Sequence, residues 1–142
     1  MPTVEHNPSP PRPGLAIAKR AAVWLIQLLL AGFFGFVGYM KSFASMTDLE
    51  SWHAWTSRLP PVLARGVGWS EILCAIGLVL PGLIRRRERL ISWSALFLAV
   101  NQSVAIAFHA QRGELGHALA QNLVLMALSA VVWRAWRDAS TH

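Results

Sequence analysis

The chain is short of charge. Only 14% of its 142 residues are Asp, Glu, Lys or Arg, where a soluble domain carries roughly 25%. The shortage is local: the stretch Ala21–Met40 has no charged residue at all. Cysteine is scarcer still. The single Cys74 excludes an intramolecular disulfide and any CxxC dithiol relay, and reads as a small packing residue on a buried helix. There is no phosphate-cradling glycine loop, no GxSxG and no HExxH, so the common nucleotide-binding and hydrolase signatures are missing. No HxxxH spacing occurs either, His109 and His117 are separated by a Gly-bearing turn, and neither a metal site nor a catalytic residue is expected. Acidic residues number seven against thirteen Lys and Arg, a formal charge of +6. That excess alone would suit nucleic acid, but no basic face with stacking aromatics can be drawn. The basic residues sit instead at the ends of apolar segments, the pattern of topology signals and of contacts with membrane lipid.

What the sequence does have is long apolar runs. Hydrophobic residues make up 54% and mean hydropathy is +0.41. Twenty uncharged residues at ~1.5 Å rise cross a ~30 Å hydrocarbon core. The expected fold is all-α: a polytopic membrane protein with four transmembrane helices in a bundle and a short interfacial helix between spans 1 and 2. Residues 1–18 hold five prolines before Gly14 and are expected to be a disordered tail. The membrane domain is placed at 19–137, with spans at about 21–40, 62–84, 90–110 and 117–136, and 138–142 form a C-terminal tail. A cleaved signal peptide fits the first run poorly, since the run is too long and no small-x-small site follows. Gly32, Gly35 and Gly38 recur every third residue in span 1, either to admit a close neighbour or because membrane helices tolerate glycine. Between spans 1 and 2, Thr47 and Glu50 fit a capping box. Leu49, Trp52, Trp55 and Leu59 then fall near one face, as in an interfacial helix.

Positive charge sets the orientation. Arg12, Lys19, Arg20, the arginines at 85–87 and 89, Arg134 and Arg137 fall on one side. Lys41, Arg58, Arg65 and Arg112 fall on the other. The richer side is expected to be cytoplasmic, with both termini inside and the chain in the inner (plasma) membrane.

Glu71 breaks the apolar run of the second span. An ionisable group at that depth is costly unless paired, and is a functional-site hypothesis by default. Topology brings Lys41, Glu71, His109, Gln121 and Asn122 to a similar depth near the outer side. Helix phase adds Gln102, which shares a face with Ile106 and His109. Glu71, Cys74 and Leu78 share a face on span 2, and Asn122, Met126 and Ser129 on span 4. Glu71 has three candidate partners: Lys41, Arg65 and His109. Lys41, Glu71, Gln102, His109, Gln121 and Asn122 are therefore the candidate ligand-binding residues. Two readings stay open. One is a polar pocket in which a carboxylate and an imidazole hold a quinone-like head group or relay a proton. The other is a buried polar network that fixes helix register.

Three stretches carry a family resemblance: GYMKSF (Gly38–Phe43), GWSEILCAIGLVLPGL (Gly68–Leu83) and AFHAQRGE (Ala107–Glu114). Together with QNLVLMALSAVVWR (Gln121–Arg134) they resemble the DoxX-like family over roughly residues 20–137. The resemblance implies a four-helix membrane bundle, in a family named for a membrane subunit of a thiosulfate:quinone oxidoreductase. It implies a place in membrane-linked redox systems and carries over Lys41, Glu71 and His109. With Cys74 alone, any redox role needs a bound quinone or a centre on a redox enzyme partner. The expected function is thus an accessory subunit presenting a quinone or lipid. The alternatives are a small proton-coupled transporter, working as a homo-oligomer, and a purely structural anchor.

Overall fold

A computed structural model describes residues 13–139. Helix α1 is Pro13–Phe43 and α2 is Met46–Ser51. A 3-10 turn at Trp55–Arg58 leads to α3 (Pro61–Leu83), α4 (Arg89–Gln111) and α5 (Leu115–Ala139). Among the described residues there is no strand. The four long helices are apolar and long enough to cross a membrane.

All four bury the same kind of stripe. On α3 the buried positions are Ala64, Gly68, Glu71, Ala75, Leu78 and Pro81. On α4 they include Ile91, Ala95, Leu98, Gln102, Ala105 and His109. Buried Gln27, Leu30, Phe34 and Lys41 mark α1, and Asn122, Leu125, Ser129, Val132 and Trp136 mark α5. Alternating steps of three and four are the seam of helices packed nearly antiparallel. This refines the faces read from sequence. Glu71 and Leu78 do share the buried face, but with Ala75 between them. Ala105 replaces Ile106 between Gln102 and His109, and Leu125 replaces Met126 on α5. The remaining large apolar side chains point outward, Leu25, Leu29, Phe36, Leu73 and Trp93 among them, as a lipid-facing surface requires.

In the ring of helices α1 packs on α3, α3 on α4 and α4 on α5; the α1–α5 seam that closes it is the least extensive. The α1–α3 crossing is the tightest. A Cβ built on Gly38 would lie 2.7 Å from Gly68 O, and one on Gly68 would lie 2.7 Å from Gly38 O. The backbones touch there, and only glycine at both positions allows it. Gly35 meets Ala75 at an ordinary 3.8 Å, while Gly32 has nothing within 4 Å. One member of the glycine series is therefore indispensable to the contact and one is irrelevant to it.

Three boundaries differ from the sequence reading. Helix α1 begins at Pro13, so residues 13–18 belong to the helix; proline is acceptable in a first helical turn. Its 31 residues span about 46 Å, so it outruns the hydrocarbon. The rest of the expected N-terminal tail, residues 1–12, lies outside the described residues. At the other end α5 runs to Ala139, which takes in the start of the expected C-terminal tail, and residues 140–142 lie outside the described residues. The cap of α2 is Ser45, two residues before Thr47. Its hydroxyl accepts from Asp48 N at 3.0 Å and donates to Asp48 Oδ2 at 2.6 Å.

The segment between spans 1 and 2 is a plug on one end of the bundle. Leu49 and Trp55 are buried, whereas Trp52 is 53% exposed. Its backbone breaks at His53, where φ is +54°, so α2 and the 3-10 turn do not form one continuous interfacial helix. Trp55 stacks at 5.2 Å on Phe108 of α4. This end is called the capped end below, and the end with Arg85–Arg87 the arginine-rich end.

Candidate functional site

At the capped end, α1 carries Lys41 in its last turn and α3 carries Glu71 on its buried seam. The Glu71 side chain is wholly buried and that of Lys41 is 6% exposed. Lys41 Nζ donates to Glu71 Oε1 at 2.6 Å, and Asn101 Nδ2 of α4 donates to the same oxygen at 2.7 Å. Three helices thus converge on one carboxylate oxygen. Arg65 takes a different part from the one expected. Its Nη1 donates to Lys41 O at 2.8 Å and so satisfies a carbonyl at the end of α1. Trp55 lies over the ammonium, 5.5 Å from ring centroid to Nζ, a cation–π contact that adds to its stabilisation.

The second carboxylate oxygen, Glu71 Oε2, is buried and accepts no hydrogen bond. Leaving a buried acceptor unmet costs about 1–3 kcal/mol, more for a charged group. His109 does not reach Glu71. It stands two turns along α4 from Gln102, with Nδ1 3.8 Å from Glu114 Oε2, too long for a hydrogen bond, and Nδ1 is likewise buried without a partner. Glu114 is itself held 3.1 Å from Arg112 Nε.

Glu71 lines a cleft of about 730 Å³ between α1, α5 and the plug. All six residues singled out from sequence line it: Lys41, Glu71, Gln102, His109, Gln121 and Asn122. Gln121 is exposed and the others are buried. The walls are apolar and aromatic, with Phe33, Phe34, Phe36 and Val37 from α1, Leu125 from α5, and Trp55 from the plug. A cleft of this size, mostly apolar with a few convergent polar groups, suits a small amphipathic molecule. Among the described residues no group of three metal-ligating side chains comes together.

Two polar contacts were not singled out as site residues from sequence. Asn101 is not among the candidate residues, although its neighbour Gln102 is. Both point inward because α4 packs on α3 with one flank and on α5 with the other. At the arginine-rich end Trp136 Nε1 donates to Gln27 Oε1 at 2.7 Å, and Gln27 Nε2 donates to Leu78 O at 2.6 Å. Leu78 is next to Gly77, whose carbonyl loses its usual helical donor because Pro81 has no N–H. The available signal was Gln27 itself, an amide in an uncharged run.

No curated protein and no solved structure matches the chain. The model of the DoxX-like family matches residues 25–132, which takes in the second and third spans whole, most of the first and fourth, the plug and each of the six candidate residues. The chain belongs to the DoxX-like family and is an integral membrane protein of four spanning helices.

Proposed function

We propose that the protein is an accessory subunit of a membrane-linked redox system, holding a quinone-like molecule in the cleft at the capped end. The observation that carries this reading is the unmet Oε2 of Glu71, buried on the lining of an aromatic-walled cleft. A network built only to fix register would be expected to satisfy both oxygens. The aromatic walls suit a flat ring, and the exposed seam between α1 and α5 suits an apolar tail that stays in lipid. The chain supplies binding and positioning; electrons come and go through a redox enzyme partner, because a lone thiol cannot relay them. In this reading the capped end faces outward from the inner membrane and both termini are cytoplasmic, a placement that the distribution of arginines favours.

Native mass spectrometry of the full-length protein in mild detergent tests the reading, with wild type beside Glu71→Gln. A co-purifying quinone in the wild type, lost in the folded variant, is the expected result. A wild type with no bound small molecule, which also fails to take up added quinone or quinol, would leave the polar cluster as a register-fixing network.

A further inference from the structure

The reading above leaves open what the head group must offer, and an inference about this rests on it. We infer that the cleft selects its ligand by a hydrogen-bond donor: it prefers a ring bearing a hydroxyl, a quinol or phenol, over the corresponding quinone. Glu71 lines the cleft, and its Oε2 is buried without a hydrogen-bond partner. A carboxylate oxygen in an ion pair only accepts. Both protein donors that reach Glu71, Lys41 Nζ and Asn101 Nδ2, donate to Oε1 and leave Oε2 unmet.

A quinone carbonyl in that position would set lone pairs against lone pairs. Oε2 would then stay unmet, even where the N–H groups Lys41 has left meet the carbonyl. A hydroxyl satisfies Oε2 and keeps its own proton in doing so. An ether or ester oxygen fails for the same reason as the carbonyl. The other polar groups do not impose this choice. Gln102 and Asn122 carry amides, which donate and accept alike, so they accommodate either form at a second oxygen. Discrimination therefore rests on Glu71.

A hydrogen bond to a charged, buried acceptor is strong enough to separate the two forms by about ten-fold or more. The test uses full-length protein in lipid nanodiscs under anaerobic conditions. Three probes are equilibrated with it and with empty discs: a decyl-tailed benzoquinol, its benzoquinone and the quinol's dimethyl ether. The expected result is quinol binding at least ten-fold tighter than the other two. The preference should disappear in Glu71→Gln, whose amide both donates and accepts. Should that variant misfold because Lys41 is left unpaired, the double variant Lys41→Met/Glu71→Gln removes both charges and serves in its place.

Equal affinity for quinol and quinone, or tighter quinone binding, would overturn the inference and leave the proposed function standing. A preference that persists in the folded variant would overturn the assignment to Glu71. Failure of all three probes to bind would overturn the proposed function and the inference together.

Discussion

Lys41 and Glu71 form an ion pair at 2.6 Å between the end of the first spanning helix and the middle of the second, with both side chains almost completely buried. Removing one member of such a pair leaves an uncompensated charge; removing both does not. Lys41→Met and Glu71→Gln should each lower the stability of the detergent-solubilised protein by about 3–5 kcal/mol. The double variant should lose clearly less than the sum. Reversible SDS unfolding of the four proteins measures this, and additive losses would mean that the pair is not coupled.

The α1–α3 crossing makes a second prediction. Gly38→Ala and Gly68→Ala each place a methyl against a backbone carbonyl, and overpacking of this kind costs about 1–3 kcal/mol. Gly32→Ala meets nothing and should be neutral or slightly stabilising, since alanine is the better helix former. Thermal melts of the three variants should separate them, and a loss in Gly32→Ala equal to that in Gly38→Ala would contradict the crossing.

At the arginine-rich end, Trp136→Phe keeps an aromatic ring, though a smaller one, and removes the donor to Gln27. The orphaned Gln27 Oε1 should cost about 1–2 kcal/mol. Gln27→Leu should cost at least as much, because it also leaves Leu78 O without its side-chain donor. Unfolding midpoints of the two variants check the order.

The orientation has its own test. A periplasmic reporter fused after His142 should be inactive and a cytoplasmic one active. The opposite outcome would place the capped end, and with it the cleft, on the cytoplasmic side.

Preference for the reduced ligand also has an electrochemical sign. Tighter binding of the quinol stabilises the reduced form, so the two-electron midpoint potential of the bound couple rises. A ten-fold preference corresponds to about 30 mV. Redox titration of the decyl couple in loaded discs, against empty discs, should show the upward shift, and a downward shift would mean that the oxidised form is favoured.

Most of the architecture was legible because bilayer thickness leaves few ways to read an uncharged run. The second and third expected spans, 62–84 and 90–110, match α3 and α4 to within one residue at each end, while α1 and α5 run past the first and fourth by up to eight. The start of α1 was missed because nothing in Leu15–Lys19 opposes a helix once Pro13 occupies its first turn. The meeting of Lys41 with Glu71 could be read from topology, since both fall at the same depth on consecutive spans. Asn101 was passed over because neighbouring residues on a helix point ~100° apart, and sequence does not say which helix lies on which flank. The cap at Ser45 was displaced by a competing pattern of the same kind two residues on. The cleft itself was not legible. Its volume depends on how the plug folds back over the end of the bundle, and that is decided by the break at His53 and the burial of Leu49 and Trp55.

The order of the buried contacts along the chain bears on biogenesis. Lys41 precedes Glu71 by thirty residues, and Asn101 follows it by thirty. When the second span leaves the ribosome its counter-ion is already in the bilayer on the first, so the acidic span need not partition into lipid as a bare charge. Insertion of α3 is thereby made conditional on α1, and the α1–α3 hairpin, locked by Gly38 against Gly68, becomes the first unit to assemble. The amide from α4 arrives last and closes the coordination of an oxygen that is already paired.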